Sequence, residues 1–368
     1  MEIYLINLFF VYVFLFLSTL KCSKVQKYSL IFISFLSMVF IAGIRYDVGS
    51  DFLMYESFFL KIKKYTLVRT DLEFMFILIC KIIRLFSSNS AILFTVIAVF
   101  IYYYIYNVSI KNVKKYELAI FLFVAFGFFT NSLNLLRQWM AIPLIFKAFD
   151  CFSENKKNKG YIYIALAVLC HYTCAFCIPI FIFIYKLKSE RIRNAIIIAA
   201  MLLYAFTGVV NNVIYLLFSN LGIGQKYLKY LVGYKTINTS IFVMPMFTLV
   251  TYLGYYFFLK NKKYVDDKAR KFNEYMVNFT VIGFFVALLG TKLFFLSRIQ
   301  FYFCLSIIFL IPNIISNIKG DMKKLLYAFC LVMGIVFYIY SLNGNGGKPL
   351  PYQTIYNKGE SQIIEIYE

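Results

Sequence analysis

The sequence predicts an all-α fold, a polytopic bundle of transmembrane helices, and three observations carry that expectation. Of 368 residues, 62% are hydrophobic and only 15% are charged, against roughly 45–50% apolar and about 25% charged in ordinary soluble domains. Mean hydropathy is +0.75. Apolar runs of about 17–20 residues, enough at about 1.5 Å per residue to cross a hydrocarbon core, recur between Ile3 and Tyr340. Phe (43) and Tyr (32) are abundant, yet strand-like alternation is missing, so these runs read as helices and not as a barrel.

The formal net charge of +21 does not point to nucleic acid, because the basic residues sit in short clusters between apolar runs and form no continuous stripe. Six clusters hold more than half of the 38 Lys and Arg: Lys21 to Lys27, Lys111 to Lys115, Lys156 to Lys159, Lys186 to Arg193, Lys260 to Lys271 and Lys319 to Lys324. The positive-inside rule assigns them to the cytoplasm. The expected organisation is a single transmembrane domain over 1–341 with outer loops 43–73 and 211–240, followed by an outer tail 342–368. Gly344, Gly346, Gly347, Pro349 and Pro351 make that tail loop-like.

With the basic clusters inside, each apolar region between them must leave the membrane and return. Ile3 to Leu20 has Glu2 before it, Lys21 behind it and no small-residue cleavage pattern, so it reads as the first span and not as a leader. Tyr28 to Phe40 leads out. Phe74 to Phe86 and Ala91 to Tyr106 both precede the cluster at Lys111, and parity lets only one cross. The shorter, which carries Lys81 and Arg84, reads as a re-entrant or interfacial helix on the outer side. Leu118 to Phe129 and Leu135 to Phe149 form the next pair, and Tyr161 to Tyr185 folds into two short limbs with an apex near His171. Ala195 to Thr207, Ile241 to Phe258, Tyr275 to Phe295, Ile299 to Ile315 and Leu325 to Tyr340 bring the total to about twelve crossings.

Most of the eight cysteines lie inside apolar runs, where a thiol behaves as a small hydrophobe, and no structural disulfide is expected. The string Cys170-His171-x-x-Cys174-x-x-Cys177 has ligand-like spacing, but His171 is the only histidine and no second ligand pair accompanies it. Neither a metal nor another cofactor is expected.

Polar groups inside or beside spans are costly, and here they gather. Arg45, Asp47 and Asp51 follow the second span; Asn131, Asn134, Arg137 and Gln138 open a later one and, at about 100° per residue, occupy a single face about 120° wide. His171 lies at the hairpin apex and Arg298 starts a late span. On the orientation above, all face outward. Three arginines, one histidine and at least two carboxylates suit an anionic substrate at the lipid boundary, since guanidinium presents a planar fork to phosphate. An imidazole or carboxylate there can accept a hydroxyl proton. Each group also has a plain reading. The Arg45 to Asp51 loop reads as a solvated segment with local ion pairs, Arg137 beside Trp139 and Arg298 beside Lys292 as interfacial anchors, and His171 as a satisfied structural histidine.

The string Arg45-Tyr-Asp-Val-Gly-Ser-Asp51-x-x-x-Tyr55 resembles the R-x-x-x-G-x-D-x-x-x-Y signature of EpsG-type, Wzy-like exopolysaccharide, O-antigen and capsule polymerases. Further elements follow in the family's order. Glu73-Phe74 resembles its Glu-Pro-Gly-Phe, with Pro and Gly missing; Asn134-Leu-Leu-Arg137-Gln138 its N-x-x-R-Q helix start; His171 its hairpin histidine; Arg298 its late arginine; and Pro351-Tyr352 its Pro-Tyr. The resemblance implies a membrane glycosyltransferase at the outer face of the bacterial cytoplasmic membrane. It would pass a growing glycan from undecaprenyl pyrophosphate to a lipid-linked oligosaccharide repeat unit, without cofactor. The implied partners are that lipid-linked oligosaccharide, the bilayer, and a chain-length regulator and flippase of the same pathway. Asp51, His171 and Arg137 become the catalytic candidates, and Arg45, Asp47, Tyr55, Asn134, Gln138, Arg298 and Tyr352 the substrate-binding ones. The sequence does not choose between Asp51 and His171 as base.

Three other readings compete. A flippase or secondary transporter calls for internal repeats and charges near the midplane, and neither is visible. An O-antigen ligase would share the donor but use another acceptor; an acyltransferase would pair the histidine with a neighbouring acid in sequence. The orientation itself is testable. In a background without native cysteines, a membrane-impermeant thiol reagent should label Ser50→Cys and Tyr352→Cys in intact cells and spare Lys157→Cys and Lys263→Cys. Labelling of either lysine position would reverse the topology.

Overall fold

The computed structural model describes residues 1–62, 72–206, 243–261 and 266–357. The expected outer loop 211–240, the middle of loop 43–73, Lys263 and the end of the tail 342–368 lie outside the described residues. The chain packs as two compact units: Met1–Cys177 together with the chain from Lys319 onward, and Ile178–Ile318.

The first unit holds α1 (Glu2–Leu17), α2 (Lys24–Gly43), β1 (Arg45–Tyr46), α3 (Phe52–Lys61), α4 (Phe74–Arg84), α5 (Ser90–Asn112), α6 (Tyr116–Ala125), α7 (Phe128–Asn134), α8 (Leu136–Ser153), α9 (Lys157–Cys170) and α10 (Thr173–Phe176). The second comprises α11 (Ile178–Lys186), α12 (Glu190–Ala205), α13 (Val243–Phe258), α14 (Asp267–Gly290), α15 (Phe294–Ile299), α16 (Phe301–Cys304) and α17 (Ile307–Asn317). α18 (Gly320–Asn343) and β2 (Gln353–Thr354) belong to the first unit again. α2, α5, α14, the run Leu296–Asn317 and α18 are each long and apolar enough to cross a membrane, and α6 with α7, bent by 55°, makes a broken span or a re-entrant loop. The chain is a multi-pass membrane protein, and α4 and the α9–α10–α11 break lie where the sequence places a re-entrant helix and a hairpin.

Helix starts follow local chemistry. At Ser23 a capping box forms, Gln26 N–H donating to Ser23 Oγ (3.2 Å) and Ser23 N–H to Gln26 Oε1 (2.9 Å). Asn89 caps α5 by accepting from Ala91 N–H at 3.0 Å, and Asp266 caps α14 by accepting from Lys268 N–H at 3.0 Å. In the first unit α6 and α8 are buried on nearly every side, whereas α2 and α18 expose Val25, Phe32, Phe40, Leu325, Phe329 and Val336. In hydrocarbon such faces need no cover. Association rests instead on close approach and interhelical hydrogen bonds. A Cβ on Gly160 would collide with the Phe152 ring across the α8–α9 hairpin. Tyr102 and Ser132 hydroxyls meet at 3.0 Å, and Ser34 and Tyr106 at 2.8 Å.

Two departures from the sequence expectation position the site. Asn131, Asn134, Arg137 and Gln138 do not share one helix face, because the helix breaks at Leu135 (φ −88, ψ 55) between α7 and α8. The break leaves the Leu133 carbonyl without a helical partner, and Arg45 Nη2 donates to it at 3.0 Å. The described part of the tail after α18, from Gly344 to Asn357, is non-helical but pinned. β1 and β2 pair antiparallel, Arg45 opposite Thr354, and Gly49 and Ser50 N–H groups donate to the carbonyls of Lys348 (2.9 Å) and Gly347 (3.0 Å). Tyr4 donates to Pro349 O at 3.0 Å and Tyr352 to Ile41 O at 2.8 Å.

Gly49 sits at φ +98, and a Cβ there would lie 3.2 Å from Leu133 O, whereas a Cβ on Gly346 would meet nothing within 4 Å. Gly49→Ala should therefore cost about 1–3 kcal/mol and lower the apparent melting temperature in detergent, while Gly346→Ala leaves it unchanged. Equal melting of the two variants would show that the strap does not constrain the loop.

Candidate active site

The chemistry concentrates around Glu73, which ends the chain's approach to α4 and is 3% exposed. Arg137, the second residue of α8, donates from Nη1 to Glu73 Oε2 in a close ion pair, and His171 Nδ1 lies 2.6 Å from Glu73 Oε1. His171 is the residue at which α9 stops, its backbone extended. Phe74 N–H donates to Tyr172 OH at 3.3 Å and ties the start of α4 to this break. One carboxylate thus joins two cationic or cationisable groups from different helices. Burial pushes the Glu73 carboxyl up, but its hydrogen bond with His171 and the Arg137 charge outweigh that and hold it below the usual carboxylate value. Arg137 and His171 side chains each keep a fifth of their surface exposed.

Arg137 also meets Tyr55, buried in α3, whose ring centroid lies 5.8 Å from the guanidinium carbon. Asp51 precedes α3 and lies beside Tyr55 electrostatically. Asn134 Oδ1 accepts from Asp51 N–H (2.9 Å) and from Ser50 Oγ (3.0 Å), so the end of α7 fixes the start of α3. Tyr55, Arg137, Glu73 and His171 form a polar array within the first unit, and Asn134 holds Asp51 at the start of the helix that carries Tyr55.

The remaining sequence candidates take other places. Arg45 is 1% exposed: its guanidinium donates to the Ala42 and Leu133 carbonyls and lies 4.6 Å from the Phe94 ring centroid. Burial pulls its pKa down to about 10, so it remains charged at neutral pH. It acts as an internal strut rather than a solvated loop residue. Asp47 occupies the left-handed region at φ 49, Gln138 is buried, and Tyr352 packs edge-to-face on Tyr4 at 5.5 Å in the tail. Arg298 is exposed in α15 of the second unit. Trp139 does not anchor Arg137 at an interface, being wholly buried between the Phe123 and Phe128 rings. Among the described residues no group of three or more His, Cys, Asp or Glu is placed to hold a metal, and Cys170, Cys174 and Cys177 are buried thiols.

Glu73 is the residue that the sequence candidates lack. Its signal was an acid set directly before an apolar run, without the Pro and Gly that follow it in the family motif. The model of the EpsG family matches residues 28–354. The chain belongs to the EpsG family. No individually described protein and no solved structure matches it. The EpsG stretch runs from α2 to β2 and takes in every member of the polar array.

Since the folded protein holds the Glu73 carboxyl below its ordinary 4.5, the paired carboxylate contributes stability above that value and loses it as the pH falls through the lowered one. Glu73→Gln should melt several degrees below wild type near neutral pH, with the gap closing under acid. A gap that stays constant on acidification would mean that the ion pairs contribute nothing.

Proposed function

We propose that this EpsG-family chain is a polysaccharide polymerase, a membrane glycosyltransferase that elongates a glycan on a lipid carrier. The observation that carries the reading is the family match over residues 28–354, and the array around Arg137 is the chemistry it requires. The donor is a glycan on undecaprenyl pyrophosphate and the acceptor a hydroxyl of a lipid-linked repeat unit at the outer face of the cytoplasmic membrane. The diphosphate is itself the leaving group, so no nucleotide sugar takes part. Partly exposed Arg137 is the donor-binding group: a guanidinium already oriented by Glu73 and Tyr55 can turn its remaining donors to the diphosphate and stabilise the charge that grows as the glycosidic bond breaks. Asp51 or His171 takes the acceptor proton.

Arg45 enters this proposal as a strut, since its guanidinium is buried and donates to two backbone carbonyls. Asn134 fixes Ser50 and Asp51, and Tyr352 holds the tail against the end of α2. A ligase would use the same donor chemistry. Deletion of the gene separates the classes: one repeat unit per lipid at the surface fits a polymerase, and no surface glycan fits a flippase.

Arg137→Lys keeps the charge but loses the fork, and should shorten the polymer severely at matched protein level. Near-normal chain length would return Arg137 to a structural role. In a purified assay with lipid-linked repeat units, removal of the base should lower turnover by about 10²–10⁴ while donor binding survives. Near wild-type rates for both Asp51→Asn and His171→Gln would eliminate both.

A further inference from the structure

Building on the polymerase reading, we propose that Glu73 is a positioning residue that holds His171 as its Nδ1–H tautomer and thereby makes Nε2 of this one histidine the base. The contact is Nδ1 to Glu73 Oε1, 2.6 Å. A carboxylate is acceptor-only, so the proton between them sits on Nδ1, and the neutral imidazole then carries its lone pair on Nε2. The carboxylate is not at liberty to swing, because its other oxygen receives Arg137 Nη1. The two segments that carry the pair are clamped by the Phe74 N–H to Tyr172 hydroxyl bond. His171 keeps a fifth of its side chain exposed while Glu73 is nearly sealed, so the imidazole and not the acid reaches an incoming sugar. Facing the pair are Arg137 from α8, Tyr172 from the apex and the Cys170 thiol from the end of α9.

In the transfer, the acceptor oxygen bonds to the anomeric carbon while its proton passes to His171 Nε2. The bond from that carbon to the diphosphate oxygen breaks, and its electron pair leaves with the lipid diphosphate beside Arg137. Glu73 stays ionised throughout and offsets the imidazolium that forms. Acceptor activation and donor neutralisation therefore share one carboxylate, an orienting group of the kind that generalises triad logic.

Having a single histidine makes the proposal directly readable. In protein grown with isotopically labelled histidine, nitrogen resonances should show one imidazole, protonated at Nδ1 and bare at Nε2 in its neutral form. Glu73→Ala should redistribute the tautomers, and Glu73→Asp should largely restore them. An Nε2–H tautomer in wild type, or an imidazolium protonated at both nitrogens, overturns the proposal. In the assay with lipid-linked units, Glu73→Ala and His171→Gln should each cut turnover, and the double variant should be no slower than the slower single one. Losses that multiply also overturn it. If Glu73→Ala does not fold, Glu73→Asp must retain the tautomer and the wild-type pH profile of turnover, and a shifted profile counts against the proposal. The tautomer is read without turnover, so a wild-type protein that makes no polymer at all would sink the polymerase reading and leave this result standing.

Discussion

A broken helix in hydrocarbon must find partners for the backbone groups that it frees, and the first unit is organised around meeting that demand. The chain breaks after Gly43, at Gly127, at Leu135 and at His171. Arg45 supplies donors to the Ala42 and Leu133 carbonyls, Asn134 accepts from Asp51 N–H, and the tail accepts from Gly49 and Ser50. The side chains that meet these needs are polar, and they accumulate where the breaks meet. A polar site thus comes about at the breaks themselves, with rigid spans on either side to hold it.

The same constraint separates two arginines that look alike in sequence. Arg45 lies buried against two aromatic rings and donates to two carbonyls, which suits a planar cation. Arg137 meets an acid and a tyrosine and keeps an exposed edge. A buried ion pair is weak evidence for stability, because desolvation offsets much of the attraction. What the Glu73 pairs contribute is geometry: α4, α8 and the end of α9 must stand in one arrangement for both carboxylate oxygens to be occupied.

The second unit is a useful contrast. Asn278 donates to the carbonyls of Ile184 and Leu187 at the end of α11, and Arg193 Nε donates to Asn278 Oδ1 at 2.7 Å. That buried arginine holds the asparagine that serves a helix terminus, and among the described residues no acid–histidine pair joins it. Buried charge alone is therefore not a site; an arginine left partly exposed beside an acid and an imidazole has chemistry that a strut lacks.

Apolar run length and the spacing of basic clusters are one-dimensional properties, and from them the sequence by itself determined the all-helical, multi-pass class, the short helix after Glu73 and the hairpin break at His171. Motif order added the family. Other features were beyond its reach. Helices that are apolar all round give no periodic face, so the burial of α6 and α8, and of Trp139 with them, could not be read. The break at Leu135 carries no Gly or Pro to announce it, so Asn134 and Arg137 looked like neighbours on one face. Glu73 meets Arg137 across 64 residues of sequence and His171 across 98. No local spacing encodes such a meeting. Only the packing of α4 and α8 around the end of α9 decides it, because an ion pair is specified by where helices come together and not by the order in which they are written.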